Sequence, residues 1–143
     1  MLIRPANQDD CAHLIPLLLE LGYEITEKDF LEQANIYINS ESCALLISEI
    51  EKGNIDGFIA GNLFPLIHQA GYVGRIMAFI VGSRFQGTGI GSALLEKLES
   101  WFKENNCLRF EVNSGDHREM AHQLYQSKGY KVDERRFIKS NTT

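Results

Sequence analysis

The chain predicts an α/β (α+β) protein forming one domain over residues 1–143, a mixed central sheet flanked by helices. Two observations carry this. Strand-type and helix-type segments follow one another in the order β-α-α-β-β-β-α-β-α-β, with no linker, repeat or low-complexity stretch between them. A glycine-rich hexapeptide, Gln86-Gly87-Thr88-Gly89-Ile90-Gly91, joins a strand of Val, Ile and Phe to an amphipathic helix. The composition agrees: 44% hydrophobic and 23% charged residues are ordinary values for one packed core.

Each element has a local cause. Leu2–Ala6 reads as a short strand that Pro5 confines to an edge or end. A helix follows from about Asp9 to Leu21, capped by Asn7 or Asp9, with Cys11, Leu14, Ile15, Leu18 and Leu21 at helical spacing and Gly22 ending it. Thr26 with Asp29 resembles a capping box before a second helix through Phe30, Leu31, Ala34, Tyr37 and Ile38. Cys43–Ile50 and Ile55–Leu63 read as a β-hairpin joined by Glu51-Lys52-Gly53-Asn54. Phe64–Gly71 reads as a loop and Tyr72–Val81 as a fourth strand. A third helix runs from about Gly89 to Lys103, burying Ile90, Leu94, Leu98 and Trp101/Phe102. Strand Leu108–Asn113, a helix from about Arg118 to Ser127, and strand Tyr130–Ile138 complete the order.

Composition also excludes functions. A net charge of −5 argues against a general nucleic-acid binder. No apolar run approaches a membrane span, and Met1-Leu2-Ile3-Arg4-Pro5 lacks the plan of a signal peptide, so a cytoplasmic protein is expected. Cys11, Cys43 and Cys107 are scattered and odd in number, which suits a reducing compartment and predicts neither disulfides nor a metal site. From Gly57 to Leu95 there is no Asp or Glu, while Arg75 and Arg84 lie inside that stretch. An anion can sit there without repulsion.

The glycine loop has three physical consequences. Glycine permits positive φ and close approach of a ligand. The first amides of the following helix lack intrahelical acceptors. The helix dipole adds partial positive charge at the same point. Together these favour a diphosphate. A P-loop needs Lys before the Ser/Thr, and here Ser92 follows Gly91 directly. A dinucleotide fingerprint fails on spacing, because the sixth position from Gly87 is Ser92. A glycine turn without a ligand is the plain alternative.

These residues resemble the GNAT superfamily of N-acetyltransferases. Its signature, Gln/Arg-x-x-Gly-x-Gly/Ala, is similar to Gln86–Gly91 and continues into Ser92-Ala93-Leu94-Leu95; Ile3-Arg4-Pro5-Ala6 and Tyr125-Gln-Ser-Lys-Gly129-Tyr130 also suit the family. The resemblance implies a sheet of about six or seven strands with about four helices, and acetyl-CoA as co-substrate without a metal. The coenzyme would lie where the fourth and fifth strands splay apart. Backbone groups of Phe79, Ile80 and Val81 would pair with the pantetheine arm, and the amides of Gln86, Gly87, Thr88, Gly89, Ile90, Gly91 and Ser92 would hold the pyrophosphate, with Arg84 nearby. A homodimer is the family-level expectation.

The resemblance also implies catalytic roles. Tyr125 would stand near the coenzyme sulfur and stabilise the departing thiolate by a hydrogen bond; a phenol near ~10 and a thiol near ~8.5 make full proton transfer unfavourable in water. Arg118 stands where many relatives have a coenzyme-contacting Asn, and could contact either coenzyme or acceptor. Arg118, His122 and Tyr125 lie at i, i+4 and i+7, so His122 can orient Tyr125 or relay a proton. For the general base, Glu111, His68 and a water chain are open. The acceptor is expected to be a small-molecule amine, and the acidic run Glu20, Glu24, Glu27, Asp29 and Glu32 suits a cationic one such as a polyamine or amino sugar. Acetylation of a protein amine, or a non-catalytic acyl-CoA-binding module of the same fold, are the competing readings.

Overall fold

The structure is a computed structural model and describes residues 1–20, 22–113, 119–133 and 137–141. They fall into two compact units, Met1–Asn113 and Ser114–Thr143. In the first unit the elements are β1 (Leu2–Pro5), α1 (Cys11–Glu20), α2 (Glu27–Asn39), β2 (Cys43–Glu51), β3 (Asn54–Pro65), β4 (Tyr72–Val81), α3 (Ile90–Glu104) and β5 (Cys107–Val112). The second contains α4 (Glu119–Ser127).

The sheet has the order β1-β2-β3-β4-β5, antiparallel from β1 to β4 and parallel between β4 and β5. Only the last connection needs a crossover, and α3 supplies it. On one face α1 and α2 bury Leu14, Leu17, Leu18 and Ala34 against Leu45, Ile47, Phe58, Ala60 and Ile80. On the other, α3 lies over Gly57, Gly61 and Gly74. A Cβ on Gly74 would stand 2.5 Å from the Phe102 ring, so glycine there sets how closely helix and sheet approach.

The caps follow the side chains. Asn7 and Asp10 form a reciprocal capping box on a 3-10 turn, Gln8–Asp10, that leads into α1. Asp10 also receives both guanidinium arms of Arg4, at 2.7 and 2.9 Å, while Arg4 Nε reaches Glu49 at 2.6 Å. This ties β1, the first helical turn and β2 together, and the Arg4 guanidinium holds the Asp10 carboxyl below its ordinary value. Thr26 Oγ1 accepts from Asp29 N at 3.1 Å, which is the Thr half of the expected box. Gly53, at φ 86°, turns the hairpin. The helix expected from Asp9 begins one turn as 3-10, and its last expected residue, Leu21, lies outside the described residues.

Two features depart from the sequence pattern. Asp56 is the extra residue of a bulge between the pairs Ser48↔Gly57 and Glu49↔Ile55. It is buried; Ser48 Oγ donates to its Oδ1, and its Oδ2 has no partner among the described residues. Burial raises its pKa. The sheet also counts five strands among the described residues, short of the expected six or seven. Of the segment Tyr130–Ile138, residues 130–133 and 137–138 carry no strand, and 134–136 lie outside the description. Val132 and Phe137 are exposed there.

Candidate active site

The centre of the first unit is a fork between two strands. The β4–β5 ladder runs from Tyr72↔Cys107 to Ile76↔Val112 and ends there. β5 therefore pairs with none of Phe79, Ile80 and Val81, which pair on their other side with Ile59, Phe58 and Gly57 of β3. Met77 marks the change: Ala60 pairs with Ala78 and Gly61 with Ile76, so Met77 is an extra residue in β4. A bulge bends its strand and re-aims the residues beyond it.

Beyond Val81 the chain makes a 3-10 turn, Ser83–Phe85, and then the glycine loop. Gly87 has φ 81° and Gly89 has φ 90°, both in the left-handed region. A Cβ at either would meet nothing within 4 Å, so space is open over the loop. Gly89 is the N-cap of α3 and has no side chain to cap the helix. The first backbone bond of α3 reaches Gly89 O from Ala93 N at 3.1 Å, which leaves the amides of Ile90, Gly91 and Ser92 without an intrahelical acceptor. Thr88 is held inside the loop: its amide and its Oγ1 both donate to Phe85 O, and Gln86 Nε2 donates to Val81 O at 3.3 Å.

The charges around the loop are sorted. Glu20, the last residue of α1, accepts from Ser83 N at 2.7 Å and from Ser83 Oγ, and these bonds lower its pKa. Its carboxylate thus anchors the loop. Arg84 stacks on Phe85 with 5.7 Å to the ring centroid, and both line a cleft of about 500 Å³ with His13, Asn54 and Asp56.

In the second unit, Tyr125 is buried and its ring lies 5.6 Å from that of Tyr130. The backbone explains the spacing. Gly129, at φ 92°, follows α4; Tyr130 N donates to Tyr125 O at 3.0 Å and Gly129 N to Gln126 O at 3.1 Å. These are the two bonds of a Schellman stop, and the Tyr125–Tyr130 ring contact is the apolar pair that accompanies it. His122, half-buried, lies one turn before Tyr125 on α4. Arg118 lies outside the described residues, as do Asp116 and His117.

Of the proposed bases, His68 is exposed in the loop after β3. Glu111 is paired: Arg109 Nε stands 2.7 Å from Oε2 and Arg75 Nη2 stands 3.1 Å from Oε1. Arg109 first, then Arg75, lower its pKa, which weakens it as a proton acceptor. This cluster was not legible as a unit in the sequence, because Arg75 comes from β4 while Arg109 and Glu111 come from β5. Among the described residues no group of three or more His, Cys, Asp or Glu side chains is placed to hold a metal, and no helix is long and apolar enough to cross a membrane.

Residues 12–130 match the family model described as Acetyltransferase (GNAT) family, and the chain belongs to this family. It is 29% identical over 91 residues to an aminoalkylphosphonate N-acetyltransferase of Salmonella typhimurium (strain LT2); the match covers 64% of this chain and 59% of that protein. The chain thus spans less than two thirds of that relative's length. Among solved structures, a GNAT family acetyltransferase from Staphylococcus aureus subsp. aureus USA300_TCH1516 superposes with a TM-score of 0.79 at 26% identity, covering 98% of each chain. AAC(6')-Iy in complex with the bisubstrate analog CoA-S-monomethyl-acetylneamine shares the fold, with a TM-score of 0.84 at 16% identity, over 99% of this chain and 97% of that one.

Proposed function

We propose that the chain is an acetyl-CoA-dependent N-acetyltransferase that moves the acetyl group directly to the amine of a small molecule, with residues 1–143 acting as one domain. The observation that carries this is the uncapped start of α3, with two open left-handed glycines beside a strand that β5 has left. Such a helix start suits a diphosphate. The bound CoA analog in one relative of the fold and the N-acetyltransferase name of the Salmonella protein support the reading.

Acetyl-CoA supplies an activated acetyl group as a thioester. In this reading the amides from Gln86 to Ser92 hold its pyrophosphate, with Arg84 adding positive charge. The backbone of Phe79, Ile80 and Val81 binds the pantetheine arm as an added strand, and a backbone N–H near Phe79 or Ile80 polarises the carbonyl. Tyr125 donates a hydrogen bond to the developing thiolate, and His122, one turn away, orients it. Arg118 is assigned to the coenzyme by resemblance alone. Glu111, held ionised by two arginines, serves binding rather than proton removal. The free cysteines suit a cytoplasmic location.

The test is release of CoA thiol from acetyl-CoA in the presence of a panel of amines. Thiol release matched by N-acetylated product is expected. Stabilisation by acetyl-CoA without thiol release on any amine would mark a binding module instead.

A further inference from the structure

The glycine loop leaves β4 at Val81 and is tied down at its start from two other elements. Gly82 N donates to Asp56 O of β3 at 2.8 Å. Ser83 N donates to Glu20 Oε1 of α1 at 2.7 Å, and Ser83 Oγ donates to the same oxygen. The remaining hydrogen bonds of residues 82–88 among the described residues stay local: Phe85 N to Gly82 O, Gln86 Nε2 to Val81 O, and Thr88 to Phe85 O. Further along, an added Cβ at Gly87 or Gly89 meets nothing within 4 Å, so no packing fixes the loop there. The loop is held at its two ends, by α3 on one side and by Gly82 and Ser83 on the other.

Two electrostatic rules disfavour an acid at Glu20. It is the last residue of α1, where a carboxylate meets the negative end of the helix dipole, and the last turn of α1 carries no basic residue to offset it. It also stands beside a loop suited to a diphosphate, which a carboxylate repels. What compensates is Ser83. This residue opens the 3-10 turn Ser83–Phe85, whose N-cap, Gly82, makes no side-chain cap bond. Its amide therefore lacks a local acceptor, and Glu20 supplies one from 63 residues away. An apolar contact joins the same two elements. A Cβ on Gly82 would stand 3.2 Å from Leu17 Cδ2, and Leu17 and Glu20 share a face of α1 at i, i+3. Leu17 is buried with Leu14 and Leu18, so α1 is a fixed support for the loop. An acid that breaks local rules yet meets a specific partner marks a functional constraint.

We infer that Glu20 is a positioning residue for the coenzyme: by accepting from Ser83 N and Oγ it fixes the start of the glycine loop, so that the amides of Gln86–Ser92 meet the pyrophosphate already arranged. This rests on the N-acetyltransferase reading above and deepens it. Glu20 and Ser83 are exposed, where such a bond adds little to global stability, so its effect falls on the loop. Preorganisation of this kind raises affinity by removing the cost of ordering the loop when the ligand binds. It also withdraws Glu20 from the acidic run expected to meet a cationic acceptor.

The experiment measures CoA binding by isothermal titration calorimetry in the full chain and in Glu20→Ala, Glu20→Gln, Ser83→Ala and the Glu20→Ala/Ser83→Ala double variant. In Glu20→Ala the loop is competent for about a third to a tenth of the time, so CoA should bind roughly 3- to 10-fold more weakly. Glu20→Gln keeps an amide oxygen in place of Oε1, which still accepts from both donors, and should bind within about twofold of the unmutated chain. Ser83→Ala removes one of the two donors and should fall between them, adding nothing in the Glu20→Ala background. With any amine that is acetylated, the loss should appear in KM for acetyl-CoA and not in kcat. Thermal melts without CoA check that each variant folds; if Glu20→Ala does not, Ser83→Ala decides, weaker binding supporting the inference and equal binding overturning it. Equal or tighter binding in Glu20→Ala overturns it and leaves Glu20 a solvated or repelling charge. So does a loss as large in Glu20→Gln as in Glu20→Ala, which would assign the effect to charge and not to the bonds. In each of these cases CoA binding by the unmutated chain spares the N-acetyltransferase reading. No CoA binding by the unmutated chain overturns both.

Discussion

Gly89→Val separates the coenzyme role of the loop from its role in folding. Gly89 has φ 90° and ψ −4°, and an added Cβ meets nothing within 4 Å. The folded protein therefore has room for the side chain, and the cost is conformational: about 2 kcal/mol for a β-branched residue held at positive φ. For a chain of this size that corresponds to a fall in Tm of roughly 6–10 °C. Gly53 offers a matched control, with φ 86° and the same open space, in the hairpin turn between β2 and β3. Acetyl-CoA at 100 times its Kd stabilises the folded state by about 2.7 kcal/mol. The assay is a thermal melt of the unmutated chain, Gly53→Val and Gly89→Val, each with and without acetyl-CoA. Both variants should melt lower without ligand by similar amounts. Gly53→Val should keep the upward shift, and Gly89→Val should lose it, because the valine methyls stand where the diphosphate approaches. An equal shift in both variants refutes the assignment of the loop.

Tyr125→Phe should lower kcat by about 10- to 100-fold, the worth of one hydrogen bond to developing charge, with acetyl-CoA affinity nearly unchanged; unchanged kcat removes Tyr125 from the chemistry. Asp10→Asn should lose about 1–3 kcal/mol at pH 7 in urea titrations, since Arg4 and the capping box both need the carboxylate. Because the Asp10 pKa is lowered in the fold, that stability is present above the unfolded value of ~3.9 and lost as the pH falls through the folded one. The gap between the two proteins should therefore close below about pH 4, and a constant gap contradicts the ion pair. Asp56 has the opposite sign: burial raises its pKa, so the fold loses stability as the pH rises from ~3.9 through the folded value. Asp56→Asn should match or exceed the unmutated chain's Tm at pH 7, and a clear drop there would show that the charge is required.

Much of the fold was written in local signals. Tyr72–Val81 was readable as a strand because Val, Ile, Phe and Tyr, residues that fit a pleated surface, make up most of it. The Thr26 cap, the Gly53 turn and the start of α3 depend on residues within four positions of one another, which is the range a sequence pattern can reach. The bulges at Asp56 and Met77 were hidden for the complementary reason. They exist only relative to a partner strand, and neither carries the Gly or Pro that would mark it. The Arg75–Glu111 pair joins residues 36 apart through a parallel ladder, so its two halves were visible separately: one as a cation in a carboxylate-free stretch, the other as a candidate base.

The Tyr125 motif shows a different limit. Its spacing reads as a chemical signature, yet Tyr125, Gly129 and Tyr130 are also what a Schellman stop requires. The pattern therefore serves helix termination whether or not the hydroxyl takes part in transfer. In the glycine loop the positive φ of Gly87 and Gly89 favours glycine by itself, while nothing in the described chain packs against their missing side chains, so the space over the loop is open.

The central claim is that the loop and the fork beside it serve acetyl transfer to an amine. The most direct measurement follows CoA thiol release and N-acetylated product together, with acetyl-CoA and a panel of small amines. Stoichiometric thiol and product with at least one amine is the predicted result. Acetyl-CoA that raises the melting temperature yet yields neither thiol nor product with any amine contradicts it.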